Sequence, residues 1–309
     1  MGLLYYGQNY LIYPSAFPPG SRDEVPTPAE FSLPYTDLEL TTSDGVKLKC
    51  YLLLQRPDLH VPGATKIEWD SDGDDEKYDM FAATRPTIIM FHGNGGNHGH
   101  RIPLAKIFFA KMRCNVLMLS YRGYGRSEGT PSEKGLVVDA QTGLDYVLQH
   151  ETLSKTPIIL YGQSIGGAVA IDLASKNTQA ITAMILENTF MSLPRLIPTA
   201  FPILTPFSWL CHQKWESYLK VPKIPKSIRV LMLGGAIDEV VPRAQMQGLW
   251  ALIRSRPSGD KYMEFPAGGH NDTCIQAGYW TAVAEFIASL SPLAELARAE
   301  RMKTEAADY

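Results

Sequence analysis

Ser164 stands in the pentapeptide Gly162-Gln163-Ser164-Ile165-Gly166, between the apolar run Pro157-Ile158-Ile159-Leu160-Tyr161 and the helix-forming stretch Gly167-Ala168-Val169-Ala170-Ile171. A serine raised on a sharp strand-to-helix turn points to covalent acyl-transfer chemistry. Such a turn holds its serine at positive φ, and it brings helix and strand so close that a β-carbon at 162 or 166 is expected to clash. The hydroxyl itself is nearly inert at neutral pH. It needs a base within hydrogen-bond reach and a third group to orient that base.

His270 is the candidate base. It lies in Ala267-Gly268-Gly269-His270-Asn271-Asp272, a small-residue loop between a short strand (260–265) and a helix (275–290), at the carboxyl ends of the strands. Asp238 is the candidate acid: it follows the buried run Val230-Leu231-Met232-Leu233-Gly234-Gly235-Ala236-Ile237 and precedes a helix starting near Pro242. Glu187 competes for the same role from the end of the strand after the serine; otherwise it is expected to support the site or anchor a cap.

An acyl-transfer intermediate also needs preorganised donors for its oxyanion. Phe91-His92-Gly93-Asn94-Gly95-Gly96-Asn97 has the glycine-rich character that lets backbone N–H groups face a ligand, so the amides of Asn94 and Ile165, aided by Gly95, are expected to form the hole. A phosphate-cradling loop would end in Gly-Lys-Ser/Thr, which is missing. His92, His98 and His100 have no carboxylate at a ligand-like offset, so neither a metal nor a cofactor is expected.

The elements that must hold these groups alternate strand and helix. Residues 35–40 and 46–52 read as an antiparallel hairpin about Ser43-Asp44-Gly45, after a lead-in (1–34) whose proline-rich part, 14–34, reads as extended. Buried strands at 87–91, 115–119, 157–161, 181–186 and 230–233 alternate with helices at 102–112 and 132–150. The latter carries Leu136, Val137, Ala140, Leu144, Val147 and Leu148 as an apolar stripe. That order predicts a mostly parallel sheet with helices on both faces. The core therefore divides into 35–188 and 228–290, with an acidic loop insertion at 56–85 and an exposed helical tail at 291–309. Between the halves, 189–227 sets Pro194, Pro198, Pro202 and Pro206 among apolar and aromatic residues. Proline at this density forbids a long straight helix, and the segment reads as a cap over the serine in which Phe190, Phe201, Phe207 and Trp209 would meet an apolar substrate.

Bulk composition narrows the classes. With 309 residues, 45% of them hydrophobic and 20% charged, and a formal net charge of −3, the chain lacks the basic footprint of a nucleic-acid binder. Cys50, Cys114, Cys211 and Cys274 are scattered, as packing thiols are, and an intracellular setting is expected. No run is long enough to span a bilayer. The aromatic-aliphatic stretch over residues 3–13 has two open readings, contact with a membrane surface, together with the cap, or a segment laid on the domain.

Taken in register, the motifs His92-Gly93-Asn94-Gly95-Gly96-Asn97, Ser120-Tyr121-Arg122-Gly123-Tyr124-Gly125-Arg126-Ser127-Glu128-Gly129, Gly162-Gln163-Ser164-Ile165-Gly166-Gly167, Leu186-Glu187-Asn188-Thr189-Phe190, Asp238-Glu239-Val240-Val241-Pro242 and Gly269-His270-Asn271 resemble the bud-emergence branch of the α/β-hydrolase-domain serine hydrolases. The chain order serine, acid, histidine is that of the α/β-hydrolase fold. The resemblance implies that fold with Ser164, Asp238 and His270 as triad, and relatives that include thioesterases and membrane-tethered members. Joined to the lack of a bilayer-spanning run and to the apolar cap, it leads to the expectation of a soluble domain peripheral to endomembranes that hydrolyses the ester or thioester of an acyl or lipid-like small molecule. A peptidase acting on short peptides and a catalytically idle scaffold are the alternatives.

Overall fold

In chain order the regular elements are helix α1 (Gln8–Ile12), strands β1 (Thr36–Thr41) and β2 (Lys47–Leu53), α2 (Asp75–Ala83), β3 (Thr87–Phe91), α3 (Ile102–Lys106), β4 (Asn115–Leu119), α4 (Glu133–Gln149), β5 (Ile158–Gln163) and α5 (Ile165–Lys176). They continue with β6 (Ala183–Glu187), α6 (Leu193–Ala200), α7 (Ser217–Lys220), β7 (Arg229–Gly235), α8 (Arg243–Ile253), β8 (Lys261–Phe265) and α9 (Tyr279–Ala288). The computed structural model describes residues 7–57, 75–200, 202–253 and 259–290. Leu3-Leu4-Tyr5-Tyr6, most of the acidic loop, Phe201 and the 291–309 tail lie outside them.

All eight strands form one sheet in the order β1-β2-β4-β3-β5-β6-β7-β8. The hairpin β1–β2 joins β4 antiparallel, and β4 through β8 run parallel. This is the α/β-hydrolase fold.

The inner parallel strands β3, β4, β5 and β6 are buried along their whole length because both faces are covered, whereas the edge strand β8 is buried only at Phe265. Alternate residues of β3 diverge: Ile89 and Phe91 join a core with Leu136, Ala140, Leu144, Val147 and Val169, whereas Ile88 and Met90 join one with Phe108, Phe109, Val283 and Phe286. Ser132 starts α4, its hydroxyl accepting the Gly135 N–H at 3.1 Å, and the apolar stripe then meets the sheet except at Leu148, which is exposed.

Four expectations need correcting. The 14–34 lead-in holds a 3-10 turn over Pro28–Phe31, because Pro28 fits its first position and Thr27 and Glu30 form a capping box. Part of the 56–85 insertion is helical: α2 docks onto the start of β4, where Ala82 is buried and its carbonyl accepts from Asn115 Nδ2 at 2.9 Å. The helix expected at 102–112 divides into α3 and a π-helical turn over Ile107–Lys111. The helix expected at 275–290 starts later, since Gly278 at φ 85° separates α9 from the 3-10 turn Thr273–Ile275.

Candidate active site

Every loop singled out for chemistry leaves the carboxyl end of a parallel strand. Between β5 and α5, Ser164 adopts φ 55°. Glycine on either side makes that turn feasible, because a β-carbon at 162 would stand 2.3 Å from the Gly166 carbonyl oxygen. Three backbone contacts fix the serine. Its N–H donates to the Glu187 carbonyl at 2.8 Å, and its carbonyl accepts from Thr189 Oγ1 at 2.8 Å and from the Gly167 N–H at 3.0 Å.

Behind the hydroxyl lies a hydrogen-bonded chain. Ser164 Oγ is 3.1 Å from His270 Nε2, and His270 Nδ1 is 2.8 Å from Asp238 Oδ2. With a carboxylate facing Nδ1, that nitrogen carries the proton and Nε2 is left to accept the serine O–H. The second oxygen, Asp238 Oδ1, accepts the N–H groups of Val240 at 2.9 Å and Val241 at 2.7 Å, which fixes the carboxylate. All three side chains are buried. Such a chain can strip a proton from a serine hydroxyl and return it to a leaving group.

Glu187 is elsewhere. Its Oε2 accepts Tyr161 Oη at 2.6 Å and Tyr279 Oη at 2.5 Å, and its Oε1 accepts Gln163 Nε2 at 3.3 Å. Burial raises its pKa against these bonds. It is a support under the serine turn, and its side-chain partners lie in the core and not in the cap.

Asn188, the next residue, is a positioner that the motif reading passed over. Its side-chain nitrogen donates to the carbonyls of Gly269 and His270, each at 3.1 Å, and to Thr273 Oγ1 at 3.0 Å. Its oxygen accepts the Gly235 N–H at 2.8 Å. One amide thus ties the acid-bearing loop to the histidine-bearing loop. The available signal was an asparagine directly after a buried parallel strand, where its φ of 45° also suits that residue type.

A cavity of about 890 Å³ opens beside Ser164 and His270 and includes Gly93, Asn94, Gly95 and Ile165 in its lining. Ile165 opens α5, so its N–H has no partner within the helix. The Asn94 side chain donates to the Ile12 carbonyl and accepts Tyr124 Oη at 2.6 Å, which pins the loop. Phe190 and Phe207 line the cavity with Leu193, Leu196 and Ile197. Trp209 is outside the lining and 73% exposed, which corrects its expected place in the pocket: the 3-10 geometry of Pro202–Leu210 turns Phe207 inward and Trp209 outward.

Residues before the sheet supply the other wall. Leu11, Ile12, Pro14 and Phe17 line the cavity too, a role foreseen neither by the readings of 3–13 as membrane contact or surface segment nor by the extended reading of 14–34. Gln8 and Tyr13 hold the two walls together. Gln8 Nε2 donates to the Leu210 carbonyl at 2.7 Å and its Oε1 accepts the His212 N–H at 3.0 Å, while Tyr13 Oη accepts Trp215 Nε1 at 2.9 Å. These partners are some 200 residues apart in sequence, beyond the reach of local patterning.

His92 and His98 are fully buried, and desolvation pushes each down to about 3. Among the described residues no cluster of histidine, cysteine and acidic side chains could hold a metal ion. All four cysteines are free and buried. No described helix is long and apolar enough to cross a membrane.

Comparison with known proteins bears on the fold and the family. The family described as alpha/beta hydrolase fold matches residues 86–205. Protein bem46 of Schizosaccharomyces pombe is 46% identical over 292 residues, covering 93% of this chain and 88% of the relative. An uncharacterized membrane protein of Saccharomyces cerevisiae is 37% identical over 284 residues, covering 92% and 90%. Among solved structures, an esterase from Pyrococcus furiosus superposes with a TM-score of 0.63 at 19% identity, covering 87% of this chain and 98% of that one.

Proposed function

The chain belongs to the bem46 branch of the α/β-hydrolase-domain proteins, and from that premise we propose that it is a serine hydrolase of carboxylic esters or thioesters with an apolar acyl part. The observation that carries the reading is the unbroken chain from Ser164 Oγ through His270 to Asp238 at 3.1 Å and 2.8 Å, opening on a cavity with apolar walls. Ser164 Oγ attacks the acyl carbonyl carbon as its proton passes to His270 Nε2. Asp238 stabilises the imidazolium and keeps the ring oriented. The carbonyl electrons collect on an oxyanion facing the amides of Asn94 and Ile165. Collapse expels the alcohol or thiol, which takes the proton from His270, and leaves an acyl-serine. A water molecule activated by the same histidine then releases the acid and restores Ser164.

Apolar walls favour an acyl or lipid-like substrate over a short peptide, whose backbone would leave unpaired amides there. Tyr10, Ile203 and Trp209 are 80%, 89% and 73% exposed on the two segments that wall the cavity. Exposed apolar groups so close to a lipid-sized cavity suit contact with a membrane surface, from which such a substrate would enter.

The test is labelling with a fluorophosphonate probe. Wild type should take up one equivalent on Ser164 and Ser164→Ala none; equal labelling of the two proteins would defeat the proposal.

A further inference from the structure

Of the described residues that line the cavity, Arg101 alone carries a permanent charge; no Asp, Glu or Lys lines it. Its guanidinium makes no hydrogen bond or ion pair with any described residue, and its Nε is buried without a partner. Nearby His100 adds no anion, and burial lowers its own pKa, which leaves it neutral at pH 7. The buried carboxylate of Glu187 is already engaged by Tyr161, Tyr279 and Gln163 and makes no ion pair with Arg101. A partly buried guanidinium in an apolar cavity is costly unless an anion joins it. Position narrows what that anion does. A β-carbon built on Gly93 would lie 3.5 Å from Arg101 Nη2, so the charged tip rests against the residue preceding Asn94 in the proposed oxyanion loop.

We infer that Arg101 is an anion subsite of the substrate pocket, and that the preferred substrate carries a carboxylate or phosphate within a few bonds of the scissile carbonyl. This rests on the hydrolase reading above. Arginine suits the task because its planar fork meets either oxyanion group with paired N–H donors. The apolar acyl chain would lie between the cap and the N-terminal wall, and the charged end at Arg101 would set the ester against Ser164. The reaction is unchanged: acyl transfer to Ser164 and hydrolysis, with the anion a spectator held in place.

Two matched probe pairs test this and separate the two anions. One is p-nitrophenyl hydrogen adipate against p-nitrophenyl hexanoate; the other is a 1-acylglycerol 3-phosphate against the 1-acylglycerol with the same chain. Wild type should favour the anionic member of at least one pair by about tenfold or more in kcat/KM, as expected for a charge-assisted hydrogen bond, and the favoured pair identifies the anion. In Arg101→Met that ratio should fall to near one, and Arg101→Lys should retain part of it. The inference is overturned if wild type shows no preference on either pair, or if Arg101→Met slows charged and neutral esters alike, which would make Arg101 a support of the loop. Fluorophosphonate titration of Ser164 in each protein counts active sites. Absent charge preference with intact labelling therefore removes the subsite alone, whereas absent labelling removes the hydrolase reading.

Discussion

Gly166 approaches Phe91 so closely that a β-carbon on it would lie 2.1 Å from the Phe91 carbonyl oxygen. Phe91 ends the strand that leads into the Gly93–Gly96 loop, and Gly166 sits in the first helical turn after Ser164. The missing side chain therefore lets the helix that carries the serine sit directly on the strand that carries the oxyanion loop. Gly166→Ala must push one backbone off the other. It should lower stability by about 2 kcal/mol or more, measured by denaturant unfolding, and should cut turnover in whatever protein remains folded.

Asp238, and not Glu187, orients His270. Asp238→Asn should reduce kcat by about 10⁴-fold, since an amide at that place favours the wrong imidazole tautomer. Glu187→Gln should keep much of the activity on a short p-nitrophenyl ester, because its partners are Tyr161, Tyr279 and Gln163. The opposite ranking would transfer the acid role to Glu187.

Asn188→Ala leaves the carbonyls of Gly269 and His270 and the Gly235 N–H without their shared partner. The expected outcome is a fall in kcat of about 10- to 100-fold with a smaller change in KM, as for residues that orient a catalytic ligand. Steady-state kinetics on one soluble ester checks the split.

Acid should weaken the fold through His92 and His98. In the unfolded chain each takes up a proton below about pH 6.5, whereas burial delays this in the folded protein to about 3. Their contribution is therefore present above pH 6.5 and lost progressively as the pH falls toward 3. His98 packs on Tyr51 with ring centroids 4.4 Å apart, so phenylalanine can replace it in shape. Unfolding free energies between pH 6 and 4 should fall less steeply in His98→Phe, by about 1.4 kcal/mol per pH unit.

Gln8→Ala removes a bridge between the N-terminal wall and the cap, where its side chain pairs with Leu210 and His212. KM for a long-chain ester should rise several-fold more than KM for a short one. A screen over acyl-chain lengths reads the difference directly.

Much of this site was legible before any coordinates because its parts are local. The turn at Ser164 needs glycine within a few residues, and the Asp238 and His270 loops each follow an apolar strand run, so short windows reveal them. The hairpin and parallel strands were legible for the same reason, through runs that alternate or are apolar throughout. What escaped depends on distant partners. Tyr13 and Gln8 read as lead-in residues until Trp215 and Leu210 meet them. Glu187 looked like a second acid until its carboxylate was found hydrogen-bonded to Tyr161, Tyr279 and Gln163 and not to His270. Trp209 and Phe207 differ in direction and not in type, and only backbone geometry separates them.

The central claim is that Ser164 becomes acylated during turnover. Mixing the protein with excess p-nitrophenyl ester and quenching within the first turnovers should give an acyl mass increment on the peptide containing Ser164, and Ser164→Ala should lose both the increment and about 10⁴-fold or more of the hydrolysis rate. Hydrolysis that persists at the wild-type rate in Ser164→Ala, with no increment on Ser164 in the wild type, would contradict it.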